Sequence, residues 1–199
     1  MKVHELFEVK ERSVLLVRGK QPEHIDGNFS CSSNRITSLD GSPSSVSNMF
    51  SCFNNKLTSL VGGPTTVGSS FYCSKNLLTS LKGAPSSVGG EFYCADNKLT
   101  SLDGAPSSIG GEFVCHTNKL TSLHNIHKQI KKIGDSANFT NNPIVSHVLG
   151  LLLIEELPYV VFDNEKLEQI INKHLKGDRD VFACQEELIE NGFEDLAQL

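Results

Sequence analysis

The chain contains no Cys-x-x-Cys pair, no Gly-x-x-x-x-Gly-Lys loop and no His-Glu-x-x-His run. Their absence leaves no local thiol-redox pair, no phosphate cradle and no zincin arrangement of metal and base. Excess positive charge is missing too. With 23 acidic against 18 basic residues the formal charge is -5, which argues against a dedicated nucleic-acid binder. Long apolar runs are also scarce. Met1-Lys2-Val3-His4-Glu5-Leu6 opens without the hydrophobic stretch of a secretory signal, so a cytoplasmic location is expected. Val148 to Leu157 is strongly apolar but spans only ten residues and carries Glu155 and Glu156. That pattern predicts a buried helix and not a membrane span. Without a secretory route, Asn28-Phe29-Ser30 and Asn138-Phe139-Thr140 are chance sequons.

What the chain does have is a period. Cys31, Cys52, Cys73, Cys94 and Cys115 recur every twenty-one residues, each within Phe-x-Cys-x-x-Asn-x-Leu/Ile-Thr-Ser-Leu. The asparagine returns as Asn34, Asn55, Asn76, Asn97 and Asn118, and a proline follows at Pro43, Pro64, Pro85 and Pro106. A repeat this strict predicts a solenoid of stacked coils. Both ends decay: Pro22 to Phe29 matches the second half of a coil. Ile133 to Asn142 matches another if three residues are inserted after Leu123, with Ala137 and Phe139 replacing Phe and Cys.

Within each coil Phe-x-Cys alternates as a strand does, so Phe and Cys point inward and the residue between them points outward. Asparagine three residues later lies where the strand ends, and its amide can satisfy peptide groups of its own coil and the next. Gly-x-Pro and Gly-Gly turn the chain back. One coil cannot bury enough apolar surface to offset the entropy of ordering itself, so stacking must supply the rest.

Phe92-Tyr93-Cys94-Ala95-Asp96-Asn97-Lys98-Leu99-Thr100-Ser101-Leu102 resembles the leucine-rich repeat core Leu-x-Leu-x-x-Asn-x-Leu. The short coil is similar to bacterial leucine-rich repeats, above all to cysteine-bearing repeats encoded by tailed bacteriophages. The likeness covers residues 19 to 142. One departure stands out: Val88 lies four residues before Phe92 where the family pattern has three, so the approach to each strand differs. The ending Cys184 to Phe193, after Asn142 to Gly150, also looks like the tail of such phage proteins, a likeness that implies no activity.

The expected fold is therefore an α/β repeat solenoid, a leucine-rich-repeat-like stack of 21-residue coils with one parallel sheet. An N-terminal cap is assigned to 1–18, with a strand over Ser13 to Arg18, the solenoid to 19–142 and a helical C-terminal cap to 143–199. Helices are predicted over Ser146 to Leu157, over Asn164 to Lys176 with Gly177 as stop, and over Val181 to Asn191. Caps are needed because an open end exposes core and strand edges.

The cysteine column reads as buried thiols packing as small hydrophobes, since its count is odd and stacked side chains run parallel. Cys184 reads as core packing on a helix. His124 and His127, with Lys128, Lys131 and Lys132, sit in the inserted segment. Their spacing is compatible with metal binding, but no carboxylate or cysteine joins them locally, which favours a solvated basic turn. No cofactor is expected.

The outward positions differ from coil to coil. Phe53, Tyr72, Tyr93, Val114 and His116 are expected to form an exposed strip beside Glu91 and Glu112, suited to a protein interface. Arg35, Lys56, Lys98 and Lys119 form a second, basic column interrupted by Leu77. The function expected is a non-catalytic protein-binding module, phage-encoded as the resemblance implies and acting on a host or phage protein through the strand face. No nucleic acid or membrane is expected as partner, and monomer and homodimer both stay open. Two alternatives stand beside it: repeats as a targeting arm for a C-terminal helical effector or inhibitor, and a self-associating structural or assembly protein.

Overall fold

The structure is a computed structural model that describes residues 21–199. The strand expected over Ser13 to Arg18 lies outside the described residues. Each coil contributes two short strands and the last coil one, numbered β1 to β13 along the chain. His24–Ile25 (β1), Ser45–Val46 (β3), Thr66–Val67 (β5), Ser87–Val88 (β7), Ser108–Ile109 (β9) and Lys132–Ile133 (β11) form one parallel sheet of six strands. Phe29–Ser30 (β2), Phe50–Ser51 (β4), Phe71–Tyr72 (β6), Phe92–Tyr93 (β8), Phe113–Val114 (β10), Ser136–Asn138 (β12) and Tyr159–Val161 (β13) form the other, of seven. The chain is a parallel-strand solenoid of about seven coils, with 21-residue coils through its middle.

The sheet carrying Phe-x-Cys is the one the sequence pattern predicts. The second sheet explains the spacing departure, because Val88 belongs to a strand of its own and Gly89-Gly90 turn the corner before Phe92. Coils approach closely at that corner. A Cβ on Gly89 would lie 2.1 Å from the Gly68 carbonyl oxygen, and one on Gly110 2.1 Å from that of Gly89. No side chain fits there.

Register keeps like over like: Phe71 pairs with Phe92 and Phe92 with Phe113. The phenylalanine rings therefore stack along the core at centroid separations of 5.6, 5.2, 5.3 and 6.1 Å from Phe29 to Phe113. All five repeat cysteines lie beside them with 0% exposure. In the sixth coil Ala137 pairs with Phe113, and Phe139 takes the cysteine position, as the degenerate alignment predicts. The aromatic column thereby steps sideways: Phe139 meets Phe113 edge-on at 68°, then stacks on Phe162.

The asparagine column closes the strand ends. Asn97 Oδ1 accepts from the Leu78 amide at 3.0 Å, while Nδ2 donates to the Cys73 and Cys94 carbonyls at 3.1 Å. Asn55, Asn76, Asn118 and Asn142 repeat this pattern. Each amide thus reaches its own coil and the preceding one, whereas the sequence reading expected the next. The residue just before each asparagine has left-handed torsions, from Ser33 through Asn54, Lys75, Asp96 and Thr117 to Asn141.

The three-residue insertion appears as a short helix, Ile126–Gln129 (α1). The helix predicted over Ser146 to Leu157 is not formed; only Leu149–Leu153 makes a 3-10 turn, and the chain then enters β13 beyond Pro158. A short, wholly apolar run lacks the periodicity that separates helix from buried strand. The sheet consequently continues past Asn142, where the sequence reading closed the repeats. Two helices follow as predicted. Glu165–Lys176 (α2) is capped by the Asn164 side chain and ends at Gly177, and Val181–Glu190 (α3) is capped by Asp180. Among the described residues no helix is long and apolar enough to cross a membrane.

Candidate functional site

The outward side of the seven-stranded sheet carries the candidate site. Because β6 and β8 are in register, Tyr72 and Tyr93 project from adjacent coils and stack, with ring centroids 5.0 Å apart and planes 29° apart. Two glutamates, each one residue before the strand of the following coil, fix their hydroxyls. Tyr72 Oη donates to Glu91 Oε2 at 3.1 Å and Tyr93 Oη to Glu112 Oε2 at 3.4 Å. Ser70 also donates to Glu91 Oε2, at 2.5 Å.

These contacts set the charge states. The Ser70 hydroxyl, with help from Tyr72, holds the Glu91 carboxyl below its ordinary range despite partial burial. Partial burial, reinforced by the neighbouring carboxylates, raises both phenols, so Tyr72 and Tyr93 remain donors. The result is an aromatic pair whose two polar ends are already committed to fixed carboxylates.

The other predicted strip residues join less fully. Phe53 is half-buried and lies under Lys75, whose Nζ is 5.5 Å from its ring centroid. His116 is half-buried and its Nδ1 sits 2.9 Å from Thr117 Oγ1. Val114 needs correction: it points outward but is only 8% exposed, a short side chain in register between Tyr93 and Asn138. Arg35, Lys56, Lys98 and Lys119 are all exposed along the far edge of the strands, with Leu77 among them.

The thiols are free and buried. Burial pushes Cys52, Cys73 and Cys94 well up, and Cys184 up to about 12 through burial and the nearby Glu187. Thiols so disfavoured as thiolates pack as small hydrophobes.

Sequence reasoning missed two groupings. His147, in left-handed torsions, meets His124 edge-on at 4.7 Å between centroids and touches Ser122 Oγ through Nδ1. His127 Nδ1 is buried beside Gly150 without a hydrogen-bond partner. No pattern in the sequence linked residues 124 and 147, because the insertion and the 3-10 turn break the period between them. Among the described residues no three metal-ligating side chains converge. The second grouping is a cleft of about 280 Å³ beside the insertion, with Thr100, Asp103, Ser122, His124 and Gln129 in its walls. Searches against family profiles, curated proteins and solved structures give no match.

Proposed function

We propose that this chain is a non-catalytic protein-binding module of the leucine-rich-repeat kind. It recognises its partner through the strand face of the coils at Tyr72 and Tyr93. In this reading it acts on a host or phage protein in a host cytoplasm, which the likeness of its repeats to those of tailed-phage proteins supports. The observation that carries the proposal is the Tyr72–Tyr93 stack with its hydroxyls held by Glu91 and Glu112. Rigid tyrosines with few rotatable bonds lose little entropy on contact, which suits them as interface anchors. Their varied neighbours from coil to coil give the face a chemistry of its own.

The test is capture from a bacterial lysate by immobilised protein, compared with Tyr93→Ala. The substitution is expected to abolish capture while the chain remains folded, because Tyr93 is only half-buried and outside the phenylalanine core. Equal capture by both proteins would sink the strip as the binding surface.

One observation favours a second reading, in which the C-terminal helices make a contact of their own. Phe182 and Ile189, two turns apart on α3, are 78% and 46% exposed. Phe182→Ser compared in the same capture experiment separates the two readings.

A further inference from the structure

Glu91 and Glu112 occupy the same position in adjacent coils, so their backbones stand about 4.8 Å apart across the sheet. Like charges at that spacing repel unless something compensates them. For Glu91 there is partial relief, since one oxygen accepts from both Ser70 and Tyr72. Among the described residues Glu112 has only the longer bond from Tyr93, because Glu91 takes the place that Ser70 holds one coil earlier. Among the described residues the ion pairs are Lys132 to Glu156 and Lys173 and His174 to Glu187. Among these residues neither strip glutamate is paired with a cation.

The aromatic geometry points the same way. Tyr72 is covered on one face by Tyr93, and its other face looks along the stack toward its register partner Ser51, a much smaller side chain. Ser51, itself buried, is too small to cover a tyrosine ring as Tyr93 does on the other side. Planar cations stack on such faces, and guanidinium groups do so better than ammonium because they are more weakly hydrated. A cation in this position would find the Glu91 carboxylate at the edge of the same ring, with Glu112 at the edge of Tyr93 one coil further along.

We infer that the strip binds an extended peptide segment bearing arginine, one guanidinium lying on the Tyr72 face and a neighbouring one meeting Glu91 and Glu112. This rests on the protein-binding function proposed above and gives the partner its chemistry. Arginines at alternate positions of an extended chain share one side about 6.6 Å apart, a separation that the two coils can accommodate. The basic column of Lys98 and Lys119 lies at the far edge of the strands, where it sets the direction in which such a segment is steered away.

The probes are three short synthetic peptides in which glycine alternates with arginine, glutamine or glutamate, titrated at low salt and again with added salt. The chain has no tryptophan and three tyrosines, two of them in the strip, so tyrosine fluorescence reports on the site directly. Expected are saturable binding of the arginine peptide, its weakening by salt, and no binding of the other two. Glu112→Gln keeps the shape of the side chain and should weaken binding about tenfold, whereas Lys98→Gln should leave it unchanged or slightly stronger. Equal binding of all three peptides, or preference for the glutamate peptide, overturns the arginine inference and leaves the protein-binding reading standing. If no peptide binds while lysate capture depends on Tyr93, the inference alone falls; if neither occurs, both fall.

Discussion

In the middle of the stack, peptide groups at each strand end are met from their own coil and the next, Asn97 serving Cys94 in its own coil and Leu78 and Cys73 in the preceding one. At the C-terminal edge β13 has no strand beyond it among the described residues, and a helix does the same work. Asn172 of α2 accepts from the Val160 amide and donates to its carbonyl, both at 2.8 Å, so one side chain replaces a strand. Glu168 of the same helix accepts from the Phe162 amide at 3.0 Å. Repetition satisfies the coils and exception satisfies the end. A solenoid edge left unpaired is a template for another chain, so the helix protects against association as well as stabilising the fold.

Two substitutions separate these roles. Asn97→Ala strands the buried Leu78 amide and takes one of two asparagine donors from each of the Cys73 and Cys94 carbonyls, which Asn76 and Asn118 still serve, and should cost about 2 to 3 kcal/mol, read as a lower urea midpoint. Asn172→Ala strands the amide and the carbonyl of Val160 at the sheet edge and should cost about 2 kcal/mol. It should also produce concentration-dependent association in light scattering, because it opens the sheet edge. Association by Asn97→Ala at equal destabilisation would break the contrast, since general unfolding would then explain both.

The two regions also differ in what acid does to them. The ion pairs among the described residues lie toward the C-terminal end. Glu187 accepts from Lys173 at 2.7 Å and from His174 at 2.8 Å. The lysine bond, then the histidine bond, holds the Glu187 carboxyl below its ordinary range. The unfolded chain therefore binds this proton more readily than the folded one. The stabilisation is complete above the ordinary carboxyl value of about 4.3 and is lost as pH falls through the lowered folded value. Hydrogen exchange between pH 3 and 6 should show α2 and α3 loosening as the pH drops, and Glu187→Gln should flatten that dependence. Glu91 has a lowered carboxyl in the coils, held first by Ser70, so Glu91→Gln is the matching control there. An unchanged slope in Glu187→Gln would remove the pair as the cause.

Much of this was legible in the residues. The period gave the coils, the inward Phe and Cys, the asparagine ladder and the sixth coil with Ala137 and Phe139 exchanged. The strip members Tyr72, Tyr93, Glu91 and Glu112 come together because register carries like over like. The seventh coil was not legible: Val160 and Phe162 keep its inward pattern, yet no Asn-x-Leu phrase follows them, and Leu149 to Leu153 reads equally as helix. The second sheet was hidden because each of its repeating strands turns a single residue inward, Val46, Val67, Val88 or Ile109, whereas Phe-x-Cys turns two inward and so shows an alternation. The left-handed corner was hidden for another reason. Its occupants, Ser33, Asn54, Lys75, Asp96, Thr117 and Asn141, share no side-chain chemistry, since what recurs there is a backbone torsion.

That corner supplies the smallest and most discriminating comparison. In the repeating coils it is left-handed, with φ of 53° to 58° from Ser33 to Asn141. In the last coil the corresponding Asn164 has φ of -87° and caps α2 instead. The same position is thus a turn in the coils and a helix start at the end, and residue type should matter in opposite ways. Threonine, β-branched, is the poorest of the present occupants for left-handed torsions, while asparagine tolerates them and already stands at Asn54 and Asn141. Thr117→Asn should therefore stabilise the fold by about 0.5 to 1 kcal/mol, even though it gives up an exposed contact with His116. Asn164→Thr keeps an oxygen that can cap and should change stability by only a few tenths of a kcal/mol. Thermal melts of the two variants decide the matter: a destabilised Thr117→Asn would mean that the contact with His116, and not the torsion, governs the corner.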